Sequence, residues 1–208
     1  ETGVWCPGVG LCWQPGRPHK QAGHSELTPA AVHGRPALRD HIEAGLAHMR
    51  GRVHTIVLSS EAFFLQDRAP EIASYFDGYE VEMVVYLRRQ DEWANAQYCE
   101  FVAGGAVGRV EVPIGDWLNE ARTRSRLDYR RVLAAWAERI GQDNLHVRVY
   151  EPGQMIAGDL VEDFAAATGL GVLHGLPRPE RTEANSRRLA APHVAPIRTL
   201  HSRTFQNL

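Results

Sequence analysis

Two short polar clusters in this chain have residue types and positions suited to chemistry. Arg88-Arg89-Gln90 follows the apolar run Val81–Leu87, and Ser59-Ser60-Glu61 follows the β-branched run Arg52–Leu58. An arginine at the end of a strand and just before a helix suits an anion. Its guanidinium forks onto phosphate or sulfate oxygens while the first helical N–H groups add partial positive charge. The competing reading pairs Arg88 with a neighbouring carboxylate and leaves Arg89 solvated. Glu61 is the candidate general base, because a carboxylate in a partly desolvated cleft gains basicity. The alternative is a helix N-terminal carboxylate answering the macrodipole. His24 is a weaker second choice, since a histidine in a Gly/Pro-rich loop is ordinarily exposed.

These residues need elements to carry them. Leu38, Ile42, Leu46 and Met49 recur at helical steps from Ala37 onward. A second helix is predicted over 62–76 and a third over 91–102. Val81–Leu87 reads as a strand buried on both faces. A Gly-rich loop from Gly104 leads on to Trp117. Asp128 then opens a helix through Trp136 and Ile140 that Gly141 closes. Leu145–Tyr150 is the next strand, followed by a helix over 160–168 that ends at Gly169. Strands alternating with helices of this length imply βαβ crossovers. The fold class is therefore α/β, with a three-layer parallel sheet and helices on both faces. Residues 1–36, rich in Gly and Pro, read as an irregular leading segment, and 37–208 as the α/β domain.

Composition narrows the function classes. The chain has 208 residues, 44% hydrophobic and 23% charged, in keeping with one globular domain. The formal charge of −2 gives no overall basic field, so nucleic acid is not an expected partner and an anion must be held by local arginines. No apolar run is long enough to span a bilayer. Three cysteines, an odd and sparse set, point to a reducing, cytoplasmic compartment. Cys6 and Cys12 with His19 and His24 lack the spacing of a zinc knuckle, so no metal is expected.

From Val84-Val85-Tyr86-Leu87-Arg88-Arg89-Gln90-Asp91-Glu92-Trp93 to Tyr98, the chain resembles the nucleotide 3′-phosphate region of bacterial sulfotransferases. Leu127-Asp128-Tyr129, Trp136, Gly141, Asn144-Leu145 and Val147-Arg148 are similar to that family's next helix and strand. Asp159–Phe164 with Gly169-Leu170, and then Asn185-Ser186, continue the similarity, which covers 53–188.

The resemblance implies a fold related to P-loop nucleotide kinases. It also implies 3′-phosphoadenosine 5′-phosphosulfate as donor and transfer of a sulfuryl group to a hydroxyl or amine. Arg88 matches the family's 3′-phosphate arginine, with Ser186, Arg187 and Arg188 as further donor-binding candidates. The family's serine two helical turns beyond that arginine is here Ala96, a loss of about 1 kcal/mol of hydrogen bonding. The acceptor would be a small molecule, sugar or lipid, chosen by loops such as 8–36 and 104–125.

The family's phosphosulfate-binding loop has no counterpart. No G-x-x-x-x-G-K-[ST] occurs, and Gly10, Gly16 and Arg17 miss its spacing by one residue. Val4–Gly8 resembles the segment just after the family's first helix, so the α/β domain is expected to be incomplete at its N-terminus and the chain as given inactive. A non-catalytic sulfotransferase-fold binding or assembly protein is the alternative. A P-loop NTPase would need the missing Walker lysine.

Overall fold

The computed structural model describes residues 3–8, 23–34, 36–65, 68–102 and 112–178. Helices and strands are mixed, and the chain divides into two compact units. One comprises Glu1–Val85 with Tyr129–His146; the other comprises Tyr86–Asp128 with Val147–Leu208. The length alone predicts one domain.

In the first unit, β1 (Val4–Trp5) runs parallel to β2 (Thr55–Ile56), with Val4 opposite Thr55 and Trp5 opposite Ile56. Both β1 and α1 (Leu27–Val32) lie inside the leading segment expected to be irregular. Pro29 is tolerated in α1 because it occupies the first turn, where a backbone N–H has no helical partner. Leu27 and Ala30 are buried from this short helix. The stripe read from the sequence forms α2 (Ala37–Met49), with Ile42 buried. Gly45 in α2 lies so close to Trp5 that an added Cβ would stand 2.5 Å from its ring.

The single helix expected over 62–76 is two, α3 (Ala62–Leu65) and α4 (Ala69–Tyr75). Pro70 accounts for the restart, since it has no N–H to donate and its ring would collide with the carbonyl four residues earlier. The core of this unit is Ala69, Ile72, Val132 and Trp136. Trp136 is 3% exposed, and its indole N–H donates to the Phe63 carbonyl at 3.2 Å.

β3 (Met83–Leu87) and β4 (Leu145–Val149) are hydrogen-bonded neighbours in a second two-stranded sheet. The second unit holds α5 (Gln90–Val102), α6 (Ile114–Asn119) and α7 (Ala121–Leu127). Trp117, expected on a loop, is instead buried in α6. Ile114 and Trp117 are one helical step apart and share a core with Ala94 and Phe101. α8 (Tyr129–Ile140), in the first unit, follows Asp128 as expected and ends at Gly141, whose φ is 86°.

α9 (Leu160–Thr168) has the predicted span. Asp159 accepts hydrogen bonds from the N–H groups of Val161 and Glu162, satisfying two of the helix's unpaired donors. Gly169 at φ 69° closes the helix in the left-handed region that favours glycine. The opposite faces of β4 reverse the usual alternation: Val147 and Val149 are 47% and 45% exposed, while Arg148 turns inward. Among the described residues, no helix is long and apolar enough to cross a membrane.

Candidate anion-binding corner

Arg88 occupies the first position past β3, ahead of the N-terminus of α5. The Tyr150 N–H donates to the Leu87 carbonyl at 2.8 Å, which brings the residue after β4 beside the residue before Arg88. The Arg88 guanidinium carbon stands 4.9 Å above the Tyr150 ring centre. Such a cation–π contact helps to place the guanidinium, a group whose planar fork of N–H donors suits an oxyanion. Tyr150 is 39% exposed, so the corner opens to solvent. Arg89 pairs with Asp91 at 2.9 Å and with Glu92 at 3.9 Å, close to the solvated role expected of it. Ala96 is on the exposed side of α5.

Beneath the corner, Asp163 on α9 is 1% exposed and collects four hydrogen bonds. The Tyr86 hydroxyl at 2.8 Å and Arg148 Nε at 2.9 Å donate to Oδ2, while the Ile156 N–H at 3.0 Å and Arg148 Nη2 donate to Oδ1. The Arg148 guanidinium, together with the Ile156 N–H and the Tyr86 hydroxyl, holds this carboxyl well below the ordinary aspartate range. Burial and the adjacent carboxylate push the Tyr86 phenol well above its own. A buried charge this thoroughly paired is stable as a set, but exposing any member to an unpaired state is costly.

Glu61 lies in the first unit, exposed, in the turn between Ser60 and α3. The Ser60 hydroxyl accepts from the Ala62 N–H at 3.1 Å and approaches Ser25 Oγ at 3.3 Å. His24 corrects the expectation of an exposed loop histidine, being 2% exposed. Its Nε2 donates to the Pro7 carbonyl at 2.8 Å, and Nδ1 accepts from the Ser59 N–H at 3.0 Å. Both ring nitrogens are thereby committed to backbone, so His24 ties the loop before α1 to the turn that carries Glu61. A groove of about 300 Å³ in the first unit, walled by Phe76, Tyr79, Val81, Arg139 and Asn144, includes neither Glu61 nor Arg88.

Ser186, Arg187 and Arg188 lie outside the described residues, as do Cys12 and His19. The surroundings of Arg88 that sequence reasoning did not assemble are Tyr150 against its guanidinium and the nearby Tyr86, Arg148 and Asp163. One signal for it exists in the chain: Arg148 interrupts valines in β4, whereas Asp163 is masked as a signal by the adjacent Glu162 in the first turn of α9.

No family model matches the chain. No curated protein matches it either. Among solved structures, a sulfotransferase from Alicyclobacillus acidocaldarius is similar, with a TM-score of 0.47 and 18% identity. That match covers 100% of this chain and 89% of the other.

Proposed function

We propose that this chain is a sulfotransferase-like domain whose Arg88 binds the 3′-phosphate of 3′-phosphoadenosine 5′-phosphosulfate. The reading includes the three-layer, P-loop-kinase-like sheet and donor contacts from Ser186, Arg187 and Arg188. The observation that carries it is the seat of Arg88: a strand-end guanidinium stacked on Tyr150, ahead of a helix N-terminus. That is where ligands bind in open α/β sheets, in the crevice outside the carboxyl ends of the strands. The ordered sequence resemblance over 53–188 supports the same reading.

In a protein that also supplies the phosphosulfate loop, the reaction is sulfuryl transfer to a hydroxyl or amine. The S–O bond to the nucleotide breaks as a bond to the acceptor forms, and the acceptor proton passes to a base. Glu61 is the base proposed. A small molecule, sugar or lipid is the acceptor class. The exposed Ala96, where a phosphate-binding hydroxyl would stand, favours a second reading in which the domain binds nucleotide without turnover.

Titration calorimetry with 3′-phosphoadenosine 5′-phosphate tests the assignment. A Kd below about 1 mM is expected, and Arg88→Ala should weaken it about tenfold to a hundredfold, the loss of a charge-assisted contact. Glu61→Gln should leave that Kd unchanged, because a base contacts the acceptor. No binding by the unaltered chain, or equal binding by Arg88→Ala, refutes the reading.

A further inference from the structure

Asp163 is the most deeply buried carboxylate among the described residues, and neither donor binding nor proton transfer as proposed employs it. Its partners have a telling placement. Tyr86 precedes Arg88 by two residues, and Arg148 precedes Tyr150 by two. Residues two apart on a strand share a face, so each partner is the next same-face step before a member of the corner. One carboxylate thus grips both neighbouring strands two residues before each member of the Arg88–Tyr150 pair, at 2.8 Å to Tyr86 and 2.9 Å to Arg148. The third anchor, the Ile156 N–H at 3.0 Å, ties the same carboxylate to the turn leading into α9.

We infer that Asp163 is a positioning residue for the anion corner: it sets the relative placement of the β3 and β4 ends, and so holds Tyr150 under the Arg88 guanidinium. The inference rests on the proposed donor-binding role of Arg88 for its functional consequence, but its geometric content stands apart from it. Arg148 and Tyr86 could be joined by many surface pairs. A buried carboxylate with four donors narrows the arrangements open to both strands: moving β4 would part Arg148 from a 1% exposed Asp163, and moving β3 would remove the Tyr86 hydrogen bond to it. A guanidinium moved out of reach of its anion loses a charge-assisted hydrogen bond, enough to weaken binding by about an order of magnitude.

Asp163→Asn, which keeps the shape and removes the charge, is compared with the unaltered full chain by two measurements at a temperature where circular dichroism reports both folded. The first is the NMR signal of the Arg88 side-chain Nε–H, which the Tyr150 ring current displaces whether or not nucleotide binds. The second is calorimetry with 3′-phosphoadenosine 5′-phosphate. Loss of the ring-current displacement with about a tenfold rise in Kd is expected. Tyr86→Phe, which deletes one hydrogen bond and leaves the Arg148 pair, serves where Asp163→Asn does not fold, and should reduce the displacement in part. A folded variant whose Arg88 signal remains as in the unaltered chain overturns the inference. A lost signal in a chain that never bound the nucleotide overturns the donor assignment and leaves the positioning role supported.

Discussion

Asp163 and Asp159 make the second unit sensitive to acid through separate contacts. Arg178 and the helix N–H groups hold the Asp159 carboxyl at about 2, and Asp163 is lowered by Arg148 and its other donors. An unfolded aspartate titrates near about 3.9, so both groups favour the folded state at pH values above that. The contribution falls away as pH drops from about 4 through the folded values, because the unfolded chain takes up protons first. Urea midpoints measured between about pH 5 and 2 should therefore decline, and the decline should be shallower in Asp163→Asn. The position of Arg88 at a strand end was legible at this scale because an arginine ending an apolar run is a local pattern. The Tyr86–Asp163 contact was not, since the two are separated by 77 positions and no local pattern joins them.

Helix ends were the most legible elements. α2 and α9 have the spans their periodicity predicts, and Gly141 and Gly169 close their helices at positive φ. The failures have specific causes. Pro70 splits the helix expected over 62–76, and α6 was missed because a six-residue helix offers a single repeat of its apolar spacing. α9 is also where the ends can be tested. Asp159→Ala should lower the urea midpoint through the lost cap and the lost Arg178 pair, and Gly169→Ala should destabilise the chain by about 1 kcal/mol through strain at φ 69°. Urea denaturation at pH 7 measures both, and a Gly169→Asn variant, which tolerates the left-handed region, should recover part of the loss.

For the molecule as a whole, the α/β class was readable from alternating elements, whereas strand pairing was not. β1 meets β2 across some fifty residues of chain, and only two residues of each strand pair. Trp5 and Ile56 give little periodicity to read. A different property does follow from strand β4. Its half-exposed Val147 and Val149 present two apolar side chains to solvent on a chain whose formal charge is −2, with a pI near 6.6. Colloidal behaviour should then have a sharp optimum. Close to neutrality, little electrostatic repulsion opposes contact between such side chains, and light scattering should report concentration-dependent clustering. Raising the pH to about 8.5, or replacing both valines by threonine, should suppress it. The same inward turn that pairs Arg148 with Asp163 thus exports its apolar neighbours to the solvent, and solubility becomes the property that this pairing compromises.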